Sequence, residues 1–231
     1  MINNFKKVEV AKSHRLIIAI SGLDKQGKTT FALSAPGPIL YFKLDTGDEG
    51  VVDKFVNEKE IYTSEYKISV YGGSDHNRDE WTRFKMDWDS ALKSKAQTII
   101  VDTATESWAL NRLARLGKLA KVMPHQYVEV NAEHTKLLKD AYASDKNVIL
   151  IHKVKPVYVN DKRTDEYEPA GYSDTPYIVQ INLVAYYSEE LEQYAVRIKN
   201  CRQNGDLKDM DIPIFDIHTG FQTLYDLVYG G

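Results

Sequence analysis

The sequence predicts an α/β fold built on a mostly parallel central sheet with helices on both faces. Three observations carry that prediction. Short apolar runs recur at Leu16-Ile17-Ile18-Ala19-Ile20, Thr98-Ile99-Ile100-Val101-Asp102 and Val148-Ile149-Leu150-Ile151, as expected for strands covered on both faces. Segments with apolar residues at helical spacing lie between them. The alternation implies right-handed crossovers between parallel strands.

In chain order, Arg15 to Ser21 reads as the first strand, followed by a glycine-rich turn. Lys28 to Ser34 reads as a helix stopped by Ala35-Pro36-Gly37-Pro38, since proline and glycine cannot continue it. Ile39 to Leu44 is the next strand and ends in the acidic turn Asp45-Thr46-Gly47-Asp48-Glu49-Gly50. Lys67 to Tyr71 reads as a shorter strand closed by Gly72-Gly73. Asp79 to Lys95 is a predicted helix, because Trp81, Phe84, Trp88 and Leu92 share one face. Beyond the strand Thr98 to Asp102, Ala109, Leu113, Leu116 and Ala120 mark a helix that breaks near Pro124. A further helix from Gln126 to Ala143 leads into the strand Val148 to Ile151. Residues 157–177, rich in Tyr, Asp, Lys and Pro, read as a loop or hairpin insertion. Leu183 to Tyr187 and Tyr194 to Ile198 continue the sheet as a C-terminal β extension. No repeat or linker divides the chain, so one domain over residues 1–231 is expected.

A formal charge of -3 gives no global attraction for nucleic acid, so any such contact has to be local. Cys201 is the one cysteine; it excludes an internal disulfide, suits a reducing compartment and reads as a buried apolar residue. The run Leu16 to Ile20 is too short to span a bilayer, and no signal-peptide pattern surrounds it. The expectation is a cytoplasmic protein without a membrane partner.

Gly22-Leu23-Asp24-Lys25-Gln26-Gly27-Lys28-Thr29 matches the phosphate-binding pattern G-x-x-x-x-G-K-[ST], and it sits between a strand and a helix as that pattern requires. The glycines let successive N–H groups turn inward on the phosphates of a nucleoside triphosphate. Gly22, Asp24, Lys25, Gln26, Gly27, Lys28, Thr29 and Thr30 are therefore the candidate nucleotide-binding positions. Lys28 reaches the β- and γ-phosphates, and the Thr29 hydroxyl is a ligand for Mg²⁺. Asp102, at a strand end, supplies the acid that Mg²⁺ also needs. Hydrolysis calls for a carboxylate to orient or deprotonate water; Asp45, Glu49 and Glu106 are the candidates, with Glu49 placed ahead of Glu106. His152, at the end of another strand, reads either as a γ-phosphate sensor or as an ordinary satisfied histidine.

The segments Ser21-Gly22 through Ala32, Ser34 through Pro38, Asp45 to Gly50, Val101 to Glu106 and Ile149 to Lys153 resemble, in order and spacing, the RecA-like ATPases encoded by bacteriophages. The resemblance is to the RecA-core branch of the Sak single-strand-annealing proteins and runs from about Arg15 to Arg202. It implies a RecA-like P-loop core that uses ATP and Mg²⁺ and acts on single-stranded DNA in annealing or strand exchange. It also implies that Lys199 and Arg202, in Val196 to Gly205, reach the γ-phosphate of a neighbouring subunit. That role requires a homo-oligomer, a ring or a filament, and leaves room for a single-strand-binding protein as partner. Lys153, Lys155, Tyr158, Lys162 and Arg163 fall where the resemblance places DNA contacts, with lysines on phosphates and tyrosines on bases. Asp161, Asp165, Glu166 and Glu168 nearly cancel that charge, so a solvated hairpin is the competing reading. The sequence departs from its relatives where Gly47 separates Asp45-Thr46 from Asp48-Glu49. A GTPase is disfavoured by the lack of Asn-Lys-x-Asp, and a kinase lid by the single arginine in residues 157–177. A nucleotide-switched assembly or packaging protein is the alternative.

Overall fold

The computed structural model describes residues 14–70, 74–118, 122–214 and 219–230. Its first half contains β1 (Ile17–Ser21), α1 (Lys28–Leu33), β2 (Ile39–Lys43), β3 (Ile61–Glu65), α2 (Ser74–Lys93), β4 (Thr98–Asp102) and α3 (Ala104–Leu116). Then come α4 (Tyr127–Tyr142), β5 (Asn147–Ile151), β6 (Val154–Val159), β7 (Lys162–Pro169) and α5 (Thr175–Ile178). The chain continues through β8 (Ile181–Ser188), β9 (Gln193–Cys201), β10 (Asp211–Pro213) and α6 (Thr219–Tyr229). Eight strands form one sheet in the order β10-β9-β8-β1-β5-β4-β2-β3. The six from β8 to β3 are parallel, and β9 and β10 are antiparallel additions at one side. This is the predicted α/β architecture, a mostly parallel central sheet with helices on both faces and a C-terminal β extension.

The apolar strands divide their side chains between two cores, because alternate residues face opposite sides of a sheet. Ile17, Ala19, Ile99, Val101, Val148 and Leu150 face α2, α3 and α4. Ile18, Ile20, Ile100, Ile149 and Ile151 face α1 and α6. On the first face, Phe84 of α2 packs against Phe42, Tyr66, Trp81 and Trp88 with ring centroids 5.1–6.4 Å apart. The parallel strands end along one edge, so the segments that follow β1, β2, β4 and β5 meet there.

The structure corrects several sequence readings. Residues 67–70 are not a strand; β3 lies earlier, at Ile61–Glu65, paired in parallel with β2. The side chain of Asn77 instead accepts from the Ser69 amide and donates to its carbonyl, and Glu80 accepts from the Lys67 amide. Helix side chains thus satisfy the backbone that a ladder would otherwise have used. Tyr71, Gly72, Gly73 and Ala120 lie outside the described residues. The insertion is a two-stranded hairpin, β6 and β7, that starts at Val154. Its turn places Asn160 and Asp161 at φ 51° and 60°, the left-handed pair a tight hairpin turn demands. Helix α6 was not foreseen, although Phe221, Leu224, Tyr225 and Val228 carry the helical spacing.

Phe84→Ala removes a ring buried among four other aromatic groups and is expected to cost about 3–5 kcal/mol. Urea unfolding checks this, and a change within about 0.5 kcal/mol would contradict the packing described.

Candidate functional site

The segment after β1 turns back over the start of α1. Gly22 has φ 148°, and a Cβ there would lie 2.4 Å from the Ala185 carbonyl oxygen of β8, so only glycine lets the turn rest on the sheet. Gly27 caps α1 at φ 84°. The Lys28 ammonium donates to the Gly22 and Leu23 carbonyls at 2.9 and 2.5 Å. Burial lowers its pKa, opposed by the nearby Asp102, Asp24 and Asp45 carboxylates.

Thr29 donates its hydroxyl to Asp102 Oδ2 at 2.9 Å, and Tyr41 donates to the same oxygen at 2.6 Å. Asp102 is 4% exposed. Burial raises its pKa even though both hydroxyls favour the ionised form. The two predicted Mg²⁺ ligands are therefore adjacent, and the Tyr41 hydroxyl is a neighbour that sequence reasoning missed. Tyr41 was visible only as an apolar strand residue, and the parallel pairing of β2 with β4 brings it to Asp102.

Lys153 follows β5 and joins two acids from different elements, Asp45 at 2.9 Å and Glu106 at 2.6 Å. Burial alone would raise the Asp45 pKa, but the Lys153 ammonium and the Thr46 amide bring it below the usual carboxylate range. Lys153 was expected to head the DNA-contacting segment; the structure places it in the phosphate cleft. Glu49 is exposed on the cleft wall. The cleft, of about 970 Å³, is lined by residues 22–30 together with Asp45, Glu49, Asp102, Lys153, Tyr194 and Ile214, among others. That volume suits a cofactor-sized ligand. The glycine turn, Lys28 and the Thr29–Asp102 hydroxyl–carboxylate pair form a set that fits a triphosphate with a divalent cation.

His152 is not among the lining residues. It is 1% exposed, and Nδ1 donates to the Ala170 carbonyl at 3.0 Å. Among the described residues its Nε2 is buried without a hydrogen-bond partner, and burial lowers its pKa, so the ring is neutral. Thr103 caps α3 by accepting from the Glu106 amide. Lys199 and Arg202 lie at the edge opposite the phosphate turn, because β9 runs antiparallel to β8. Arg202 donates to the carbonyls of Tyr177 and Ile178 at 2.8 and 3.0 Å, and Lys199 stands 4.0 Å from Asp209. Neither can serve its own chain's phosphate site, so a role there needs a second copy. On the hairpin, Lys155 pairs with Glu168 at 3.1 Å and Arg163 donates to the Tyr167 hydroxyl at 3.0 Å. Tyr158 is 63% exposed, and Lys162 is exposed beside it.

A family model described as an AAA domain matches residues 14–203. No curated protein matches the sequence. Among solved structures, a KaiC-like protein from the hyperthermophilic archaeon Pyrococcus horikoshii OT3 is 16% identical, with a TM-score of 0.49. The match covers 86% of this chain and 84% of that one. Among the described residues no helix is long and apolar enough to cross a membrane.

The raised Asp102 pKa makes ionisation costly in the folded state. That cost is absent below the unfolded pKa, grows as pH rises from there to the folded value, and persists above it. Asp102→Asn is therefore expected to raise the thermal midpoint of the metal-free protein at neutral pH more than at acid pH, while weakening Mg²⁺-dependent nucleotide binding. Equal midpoints for the two proteins at neutral pH would remove this account.

Proposed function

The chain belongs to the AAA-domain family matched over residues 14–203, and on that premise we propose a Mg²⁺-dependent ATPase that acts on single-stranded DNA. The observation that carries the ATPase half is the Thr29–Asp102 contact of 2.9 Å beneath the glycine turn. In this reading, N–H groups of residues 24–30 hold phosphate oxygens, and Lys28 exchanges the Gly22 and Leu23 carbonyls for the β- and γ-phosphates. Thr29 and Asp102 would hold Mg²⁺, which when bound neutralises developing phosphate charge. Glu49 is assigned the attacking water, because its carboxylate is exposed on the cleft wall. Asp45 and Glu106 are both engaged by Lys153, and an ion pair weakens a carboxylate as a base.

The DNA half is supported by the hairpin. Its base reaches the cleft through Lys153 and Val154, and Lys155, Tyr158, Lys162 and Arg163 stand along it. Lysines and arginine can take phosphates while exposed tyrosines stack bases. Annealing or strand exchange in phage recombination is the process that fits this pairing, with copies assembled so that Lys199 or Arg202 of one reaches the site of the next. A second reading is favoured by the engagement of Asp45 and Glu106 with Lys153: a slow nucleotide switch that drives assembly without DNA.

ATP hydrolysis measured with and without single-stranded DNA, against Lys28→Ala as blank, separates the two. Stimulation by DNA is expected; Lys28-dependent hydrolysis indifferent to DNA would favour the switch. Glu49→Gln should lower kcat at least about 100-fold with little loss of nucleotide affinity, and a wild-type rate would move the role to Glu106. Lys162→Glu combined with Arg163→Glu should weaken single-strand binding and spare ATP affinity. Unchanged DNA binding in that protein would count against the hairpin.

A further inference from the structure

The nucleotide reading accounts for the phosphate end of the cleft and leaves its far end unexplained. The strand order assigns the two ends. Asp45 after β2, Asp102 on β4 and Lys153 after β5 all stand on one side of β1. Tyr194 of β9 and Ile214, just beyond β10, line the cleft on the other side. From β4 to β9 is four strand spacings, about 19 Å at ~4.8 Å each, close to the length of an extended nucleoside triphosphate. With the metal-binding end at Thr29 and Asp102, the nucleoside has to leave over the last glycine of the turn. At that glycine, a Cβ on Gly27 would meet Ile214 Cδ1 at 3.3 Å and Tyr194 Cβ at 3.7 Å.

The wall there is held in place. The Ile214 amide donates to the Tyr194 carbonyl at 2.8 Å. Tyr187, directly opposite on β8, meets the Tyr194 ring edge-on, with centroids 5.4 Å apart at 82°. Tyr194 is nonetheless 43% exposed and lines the cleft, so it is an anchored residue with part of its surface open. A flat aromatic surface beside an aliphatic side chain matches a nucleobase, which is apolar on its faces and polar only at its edges.

We propose that Tyr194, backed by Ile214, is the nucleobase platform of the site and that it favours purine over pyrimidine nucleotides by stacking area. This rests on the nucleotide reading of the phosphate turn. Its test compares inorganic tripolyphosphate, which has no base, with ATP and CTP. Mg²⁺-dependent binding of each is measured by calorimetry on the wild type, Tyr194→Ala, Tyr194→Phe and Lys28→Ala. Tyr194→Ala should weaken ATP binding about 10-fold, lose most of the preference for ATP over CTP, and leave tripolyphosphate binding unchanged. Tyr194→Phe should retain both affinity and preference. Intact tripolyphosphate binding also shows that the variant is folded. ATP affinity unchanged in Tyr194→Ala, or ATP and tripolyphosphate falling together, would overturn the platform while leaving the phosphate site standing. Failure of the wild type to bind either ligand would overturn the nucleotide reading and the platform with it.

Discussion

One buried carboxylate organises this molecule. Asp102 sits at the end of a strand covered on both faces, where an unpaired charge is costly. It is kept there by hydroxyls from two other elements, Thr29 of α1 and Tyr41 of β2. Those contacts draw the end of the central strands and the start of the first helix onto one oxygen atom. The glycine turn is then confined between Asp102 and the backbone of β8. Its residues, Gly22 to Thr30, line the cleft.

Much of the fold was legible because burial on both faces leaves a plain signature. β1, β4 and β5 are unbroken apolar runs, and Trp81, Phe84 and Trp88 spell out the buried face of α2. The phosphate turn was legible for a different reason, since its chemistry needs particular residues at fixed spacing. What escaped depends on contacts between distant parts of the chain. The segment at residues 67–70 looks like a strand until the side chains of Asn77 and Glu80 take its hydrogen bonds. Lys153 looks like the first of a basic series until the fold turns it toward Asp45 and Glu106. Tyr194 carries no local signal, because its significance lies in the residues across from it.

Lys153 balances two acids, Asp45 of the cleft lining and Glu106 outside it. Without it, Asp45 and Glu106 would repel each other and the phosphates of any ligand. The same residue begins the hairpin, so the electrostatics of the cleft and the position of β6 share one segment of backbone.

The attachment of that hairpin has a mechanical consequence. Its root is pinned at one level: the Ala170 amide bonds the Lys153 carbonyl at 2.8 Å, and the Thr105 hydroxyl bonds both the Lys153 amide and the Ala170 carbonyl. From there a six-residue strand reaches its turn, a distance of about 20 Å at ~3.3 Å per residue. The hairpin is therefore a lever with a short fulcrum. A tilt of about 10° at Thr105 carries the Asn160-Asp161 turn through roughly 3.5 Å over that length, so a displacement too small to disturb the sheet is large at the tip.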